Sequence, residues 1–127
     1  MVLDTFRNFA IAILIFIMLD GVWLGLIIKP TYSKLLNKFK LKKINLLSAL
    51  IAYSFLALGI ALFVIPRVIT PLPAFFFGVI FGLIIYGFYN FTNFAIFDGY
   101  EFSFLAIDVL WGAIASGITS ILVFLSI

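Results

Sequence analysis

The sequence contains neither cysteine nor histidine. The absence of cysteine excludes disulfides, thiolate nucleophiles and cysteine-based metal sites. The absence of histidine removes the commonest general base and the commonest ligand of transition metals. Any chemistry at neutral pH must therefore depend on carboxylates, lysine or hydroxyl groups, and the sequence predicts no cofactor and no metal centre.

Charge is also scarce. Only 10% of the 127 residues are charged, whereas 66% are hydrophobic and the mean hydropathy is +1.35. A soluble domain carries about 25% charged residues, because it needs polar groups at its surface. The net charge of +3 comes from basic residues gathered in one short connection, which is not a nucleic-acid-binding pattern. The composition therefore indicates a membrane protein whose partner is the lipid bilayer, with no nucleic acid.

Four apolar runs are long enough to cross a bilayer, which takes about 20 residues of helix. They cover about residues 8–28, 44–65, 73–97 and 102–126. Each run is apolar on every face and longer than a barrel strand, and backbone groups in lipid must pair internally. The sequence therefore predicts an all-α fold, an integral membrane four-helix bundle that forms a single transmembrane domain over residues 1–127.

Lysine predicts the orientation of the bundle. Six of the eight basic residues lie in the first connection, residues 29–43. Because loops rich in lysine and arginine stay on the cytoplasmic side, both termini are expected to be exoplasmic. The same connection could also bind anionic lipid headgroups as a short basic helix, through Lys34, Lys38, Lys42 and Lys43.

Two aspartates lie inside the apolar runs, and each begins an Asp-x-x-Trp pattern. Asp20 precedes Trp23 in the first span, and Asp108 precedes Trp111 in the fourth. A carboxylate within a span costs about 2.5–3.5 kcal/mol on insertion scales, so it usually faces a partner or a wet cavity. These aspartates are therefore the first place to look for function. Both tryptophans could be interfacial anchors. Because the pattern occurs twice, it favours an indole N–H that donates to a carboxylate, in its own helix or across helices.

The most polar side chains of three spans fall in one layer. Counted along each helix, Asp20, Asn90, Asn93 and Asp108 lie about 7–14 Å from the same membrane boundary. We therefore predict that these four residues form a polar cluster. The predicted supporting residues are Trp23, Tyr86, Trp111 and Thr119.

Other features of the spans are expected to serve packing. Glycine pairs at i, i+4 spacing, which allow helices to approach closely in lipid, occur at Gly21 and Gly25 and at Gly78 and Gly82. Three tyrosines are expected to be interfacial or packing residues, namely Tyr32, Tyr53 and Tyr100.

The polar cluster could also be purely structural. Hydrogen bonds between buried Asp and Asn side chains could hold four helices in register, although such bonds contribute only about 0.6 kcal/mol on average. An asparagine pair would do this at lower cost than an aspartate, since an amide carries no charge. The spans contain no lysine or arginine to pair with Asp20 and Asp108, which favours a functional interpretation of these two residues.

Three motifs fall on spans one, three and four: Asp20-Gly-Val-Trp-Leu-Gly25, Tyr86-Gly-Phe-Tyr-Asn-Phe-Thr-Asn93 and Asp108-x-x-Trp-Gly112. Together they resemble the family called domain of unknown function 2177, and the resemblance covers nearly the whole chain. It implies a small four-span protein of a bacterial inner membrane or of a viral or host membrane. The family pattern has aspartate where this chain has Asn90, so the resemblance implies a third carboxylate that is replaced here.

Three functions fit these patterns. The first is small-solute, ion or proton handling by the polar cluster, and four spans are few for a complete pathway, so it predicts a homodimer. The second is a lipid-binding or lipid-modifying protein, in which paired carboxylates act as acid and base or hold Mg²⁺ against a phosphate. The third is a structural or assembly component of a cellular or virion membrane. The patterns identify no catalytic residue and leave open whether the protein is an enzyme.

Overall fold

The computed structural model describes residues 2–38 and 45–127, and all the regular structure in these residues is helical. The helices are α1 (Val2–Thr31), α2 (Ser33–Lys38), α3 (Leu46–Arg67), α4 (Pro71–Ile96) and α5 (Phe102–Leu125). All except the short α2 are long and apolar enough to cross a membrane. The predicted all-α membrane bundle is therefore confirmed.

The ends of the helices follow local sequence signals. α1 begins six residues before the predicted span, and Arg7 lies 3.7 Å from Asp4 one turn earlier in this polar extension. The Asn45 side chain caps α3 by accepting a hydrogen bond from the Ser48 backbone N–H at 3.1 Å. Gly99 has a φ of 77°, which allows the tight turn between α4 and α5.

Two spans contain a widened, π-helical turn, at Trp23–Ile28 in α1 and at Ile60–Val64 in α3. Each turn closes with a backbone bond to the residue five positions earlier, from Lys29 to Leu24 and from Ile65 to Ile60. Pro30 and Pro66 follow at once, and proline has no N–H to continue the α-helical ladder. The widened turn in α1 begins at Trp23, three residues after Asp20.

α4 and α5 form a closely packed antiparallel pair. A Cβ added to Gly78 would lie 2.6 Å from the Ser116 carbonyl oxygen, and one on Gly82 would lie 2.7 Å from the Ser116 hydroxyl. Real Cβ atoms do not approach other atoms this closely, so only glycine permits this helix separation. The same register continues to the ring pair Phe94–Phe102, whose centroids are 6.0 Å apart.

α1 and α3 complete the bundle around a small apolar core. The core is built from Ala12 and Phe16 of α1, the α3 turn that includes Ile60 and Val64, and Val123 of α5. α1 runs antiparallel to α3 and to α5. The bundle therefore has two ends. We call the end with the 29–45 connection and the 97–101 turn the basic end, and the opposite one the terminal end.

Glycine pairs differ in their use. Gly78 and Gly82 lie in the tight α4–α5 contact, as the sequence indicates. The prediction is wrong for Gly21 and Gly25, because a Cβ at either position would meet no atom of the described residues within 4 Å. The spacing of two glycines does not show which way a helix faces, and these two point away from the described neighbours.

The short helix α2 folds back under the basic end of the bundle. Leu35 and Tyr32 are buried in a cluster with Trp23 and Ile28, and the Tyr32 ring meets the edge of Phe104 at 5.0 Å. Lys34 is exposed on the same helix. The other predicted lipid contacts, Lys42, Lys43 and the side chain of Lys38, lie outside the described residues.

Candidate functional site

Asp20 is held between three helices. Its side chain is only 8% exposed. The Tyr53 hydroxyl on α3 donates to one carboxylate oxygen, and the Trp111 indole N–H on α5 donates to the other at 3.0 Å. Both donors are neutral. The carboxylate therefore has hydrogen-bond partners but no counter-charge from them.

Asp108 is held by a second chain of hydrogen bonds near the basic end. The Asn90 amide on α4 donates to Asp108 at 2.7 Å and to the Tyr86 carbonyl at 2.9 Å. The Tyr100 hydroxyl, in the turn between α4 and α5, donates to the Asn90 side-chain oxygen at 2.7 Å. Asn90 is completely buried, so this series of hydrogen bonds connects the turn between α4 and α5 to the interior of the bundle. Burial raises the pKa of the Tyr100 phenol, which keeps it a neutral donor.

The two Asp-x-x-Trp motifs are interlocked. The Trp23 and Trp111 rings stack with centroids 4.7 Å apart and planes 2° from parallel. Trp111 donates to Asp20, the aspartate of the other motif. Trp23 interacts with Asp108 in the same crossed sense, although its buried N–H reaches hydrogen-bonding geometry with no described residue. The exchange follows from antiparallel helices: Trp23 lies nearer the basic end than Asp20, and Trp111 lies nearer the terminal end than Asp108, so each indole lies close to the level of the other motif's aspartate.

A cavity of about 510 Å³, here called the polar cavity, lies between α1, α2, α4, α5 and the turn. Both span aspartates line it. The other lining residues are mainly aromatic and apolar, with Asn93 as a further polar group. The full set is Asp20, Leu24, Leu35, Tyr86, Tyr89, Asn93, Phe97, Tyr100, Phe104 and Asp108.

A second cavity of about 480 Å³, here called the lateral cavity, lies between α3 and α4. It shares Asp20, Tyr86 and Tyr89 with the polar cavity. Its remaining walls are apolar apart from the Tyr53 hydroxyl. They consist of Ala52, Tyr53, Phe55, Leu56 and Ile85.

The electrostatic character of this region is acidic. Neither cavity is lined by a lysine or arginine among the described residues. The sequence has no basic residue in the ranges 8–28, 45–66, 71–97 and 102–127. A buried carboxylate is costly unless a proton, a cation or several donors stabilise it. The arrangement can therefore accept positive charge, whether as a proton or as part of a ligand.

The structure brings most of the predicted cluster together. Asp20, Asn93 and Asp108 line the polar cavity with Tyr86, and Asn90 is bonded to Asp108 behind it. Thr119 is not brought to this region. It is completely buried about 16 Å farther along α5 than Asp108, and its hydroxyl has no partner in the described part of the chain.

Two polar contacts were missed by the sequence analysis. Tyr53 and Tyr100 were expected to be interfacial or packing residues, which is wrong, because each donates to a member of the cluster. Tyr53 lies seven residues, about 10 Å, from the start of α3, which is the depth of the cluster. Depth could therefore have identified Tyr53. Tyr32 does pack, against Phe104.

Asn90 shows what a third carboxylate would require. Its amide nitrogen is 2.7 Å from the Asp108 carboxylate. An aspartate at this position would place two carboxyl groups at that distance, and they could not both be ionised without a shared proton or cation. The Asn90 amide always provides a hydrogen-bond donor, so this contact with Asp108 needs no additional proton or cation.

Fold and geometry together define a multi-pass α-helical membrane protein with a polar cavity between its helices. The chain belongs to the family of predicted membrane proteins (DUF2177), whose model matches residues 5–125. The family resemblance of the three motifs is thereby confirmed. No curated protein and no solved structure matches the chain at a significant level.

Proposed function

We propose that this protein handles a small cationic solute, an inorganic cation or a proton through the polar cavity. The observation that carries the proposal is that Asp20 and Asp108 line one cavity that has no basic side chain among its lining residues. In this view the residues that contact the cation are the two aspartates, with Asn93 and Tyr86 beside them.

The hydrogen bonds to the two carboxylates support this proposal because they leave the negative charge uncompensated. Tyr53, Trp111 and Asn90 donate to the two carboxylates, yet all three donors are neutral. Neutral donors keep a carboxylate oriented and lower the cost of its charge, but the pair still repels itself across a medium of low dielectric constant. Adding a proton or a cation relieves that repulsion, and removing it restores the acidic cavity. Such a cycle is what a carrier or binding protein needs.

The experiment that tests the proposal uses the full chain reconstituted in liposomes. Binding of tetramethylammonium and its uptake against a pH gradient are measured for the wild type, Asp20→Asn and Asp108→Asn. Each amide keeps the size of the side chain and one acceptor oxygen but removes the charge, so we expect the affinity to fall about tenfold or more. Asp98→Asn, in the exposed turn, is the matched control and should behave as the wild type. Unchanged binding and uptake in both span variants would remove the proposal.

A structural role is the second candidate, and it is favoured by Asn90. This side chain is buried, and both its donor and its acceptor atoms are bonded, which is what a fold-specifying residue needs. This candidate predicts that Asp20→Asn and Asp108→Asn retain function. It also predicts that Gly112→Leu loses function, because a side chain there would overlap the Tyr86 ring.

We further propose that the basic end faces the cytoplasm and that both termini are exoplasmic, in a bacterial inner membrane or a viral or host membrane. The support is the concentration of lysine in the 29–43 connection. Because the sequence has no cysteine, a single introduced cysteine would be the one thiol that can be labelled. With an impermeant maleimide on intact cells, Ile69→Cys should react and Asp98→Cys should not. The reverse pattern would invert the topology.

The proposed homodimer and the lipid contacts have separate tests. The mass of the purified protein in a detergent of known micelle size distinguishes one copy from two. Binding to vesicles with and without anionic lipid, compared for the wild type and Lys34→Gln, tests the basic connection. Unchanged binding of the variant would leave no role for Lys34.

A further inference from the structure

The lateral cavity opens between helices that separate towards the basic end. α4 contacts α3 mainly through the widened turn Ile60–Val64, and Gly59 lies directly against the Phe81 ring there. Beyond this contact the two helices enclose the lateral cavity. Phe55 and Tyr89 at its edge are 72% and 59% exposed, and in a bilayer these faces meet lipid. The cavity therefore connects the membrane interior with Asp20.

The walls of this cavity select for one kind of charge. Its inner end carries the Asp20 carboxylate, and its sides are formed by Phe55, Leu56 and Ile85. A phosphate or carboxylate headgroup would find no basic partner among the lining residues and would be repelled by Asp20. A cation would meet Asp20 and the rings of Tyr86 and Tyr89, whose faces attract positive charge.

We propose that the lateral cavity admits lipophilic organic cations directly from the bilayer to Asp20. The charged group of such a ligand binds at Asp20, and its apolar body lies along Phe55, Leu56 and Ile85. This inference rests on the proposed function and specifies its ligand class. The volume of about 480 Å³ is within the range of pockets that bind drug-sized molecules.

The shared residues place the two cavities next to each other. Asp20, Tyr86 and Tyr89 line both cavities. In this proposal, a cation that enters from lipid moves past Tyr86 into the polar cavity while it remains beside a carboxylate. Asp108 then provides the second anionic position, at the inner side of the polar cavity.

The experiment compares probes that differ in one property each. Tetraphenylphosphonium is a lipophilic cation, tetraphenylborate has the same shape and the opposite charge, and tetramethylammonium is a cation too polar to enter through lipid. Equilibrium binding is measured to the full chain in nanodiscs of phosphatidylcholine. We expect the phosphonium to bind and the borate not to bind above the level of empty nanodiscs.

Variants then localise the entry. Ala52→Trp narrows the lateral cavity from α3, and Ile85→Trp narrows it from α4. Ala95→Trp is the matched control, because Ala95 is exposed on α4 and lines neither cavity. Both narrowing variants should weaken phosphonium binding about tenfold and change tetramethylammonium binding less than about twofold. The control should change neither.

The outcomes separate this inference from the proposed function. If tetramethylammonium binds in an Asp20-dependent manner but the phosphonium is unaffected by both narrowing variants, lateral entry is overturned and the function stands. Equal binding of the borate, or an equal loss in Ala95→Trp, also overturns lateral entry. If no cation binds the wild type, both proposals fail together.

Discussion

The two halves of the α4–α5 pair use the same helices in opposite ways. In the terminal half, Gly78 and Gly82 bring the backbones into direct contact with Ser116 and its neighbours. In the basic half, the same register places Asn90 opposite Asp108 and leaves a cavity of about 510 Å³ beside them. Small residues close one half, whereas polar and aromatic residues keep the other open.

This difference shows where the bundle obtains its stability. Lipid is as apolar as the helix surfaces, so close packing rather than the hydrophobic effect holds membrane helices together. The closed half provides that packing through glycine contacts and the core around Phe16 and Val123. The open half contains two buried carboxylates and two cavities, which cost free energy. The close packing of the closed half offsets that cost.

The largest expected effect comes from filling the closed half. Gly82→Leu would force a side chain into the Gly112 carbonyl and the Ser116 hydroxyl, and backbone atoms cannot move aside. We expect the free energy of unfolding to fall by about 3 kcal/mol or more, measured by thermal unfolding in detergent. Gly87→Leu, on the same helix with open space around it, should lose far less. Equal losses would contradict the division into a closed and an open half.

A smaller effect is expected from the indole pair in the open half. Trp111→Phe keeps a ring against Trp23 but removes the N–H that Asp20 accepts at 3.0 Å. We expect a loss of about 1.5–3 kcal/mol, typical of a hydrogen bond to a charged group. Trp23→Phe is the matched control, since its N–H has no hydrogen-bond partner among the described residues. An equal cost for Trp23→Phe would contradict the assignment of a hydrogen bond to the Trp111 indole alone.

The hydrogen bond from the turn beside the polar cavity should contribute less to the free energy of unfolding than the bond from Trp111. Tyr100→Phe removes the bond to Asn90 and is expected to cost about 1 kcal/mol. The gap between wild type and variant should shrink from about pH 9 to about pH 11. The unfolded phenol ionises near pH 10, while the folded group, with its raised pKa, stays neutral, so the wild type alone loses stability. A gap that widens with pH would reverse the assigned shift. Tyr89→Phe, an exposed hydroxyl, is the control.

The smallest effect on the free energy of unfolding is expected from the buried serine of the closed half. Ser116 is completely buried on α5, and its hydroxyl has no hydrogen-bond partner within residues 2–38 and 45–127. Ser116→Ala should therefore change the unfolding free energy by no more than about 0.5 kcal/mol. A large loss would show that the closed half also contains a polar network, and the contrast between the halves would have to be redrawn.

Sequence patterns predicted much of this molecule. Hydropathy and length located the four spans. Apart from α1, which extends six residues before and three residues beyond its predicted span, the helix ends differ from the predicted ones by no more than two residues. Asp20 and Asp108 were identified because a charge in an apolar run costs free energy whatever the fold. Their common depth followed from helix rise alone, and depth survives any rotation of a helix about its axis.

Rotation and partner choice were not predictable in this way. Gly21–Gly25 and Gly78–Gly82 have the same spacing, yet among the residues that the structure describes only the second pair meets another helix. Tyr53 lies on a span without charge, and nothing local indicates that its hydroxyl bonds to Asp20. The exchange of partners between the two Asp-x-x-Trp motifs likewise depends on two helices that are far apart in the chain.

Composition, span length and the positions of the acidic residues thus follow from the chain itself, because the free energy of placing each group in lipid is a property of that group and its immediate neighbours. The facing of each helix, the two cavities and the donors around each carboxylate come from packing alone. They depend on which helices approach, and that is decided by the glycine contact at Gly82 and the widened turns in α1 and α3, where distant segments meet.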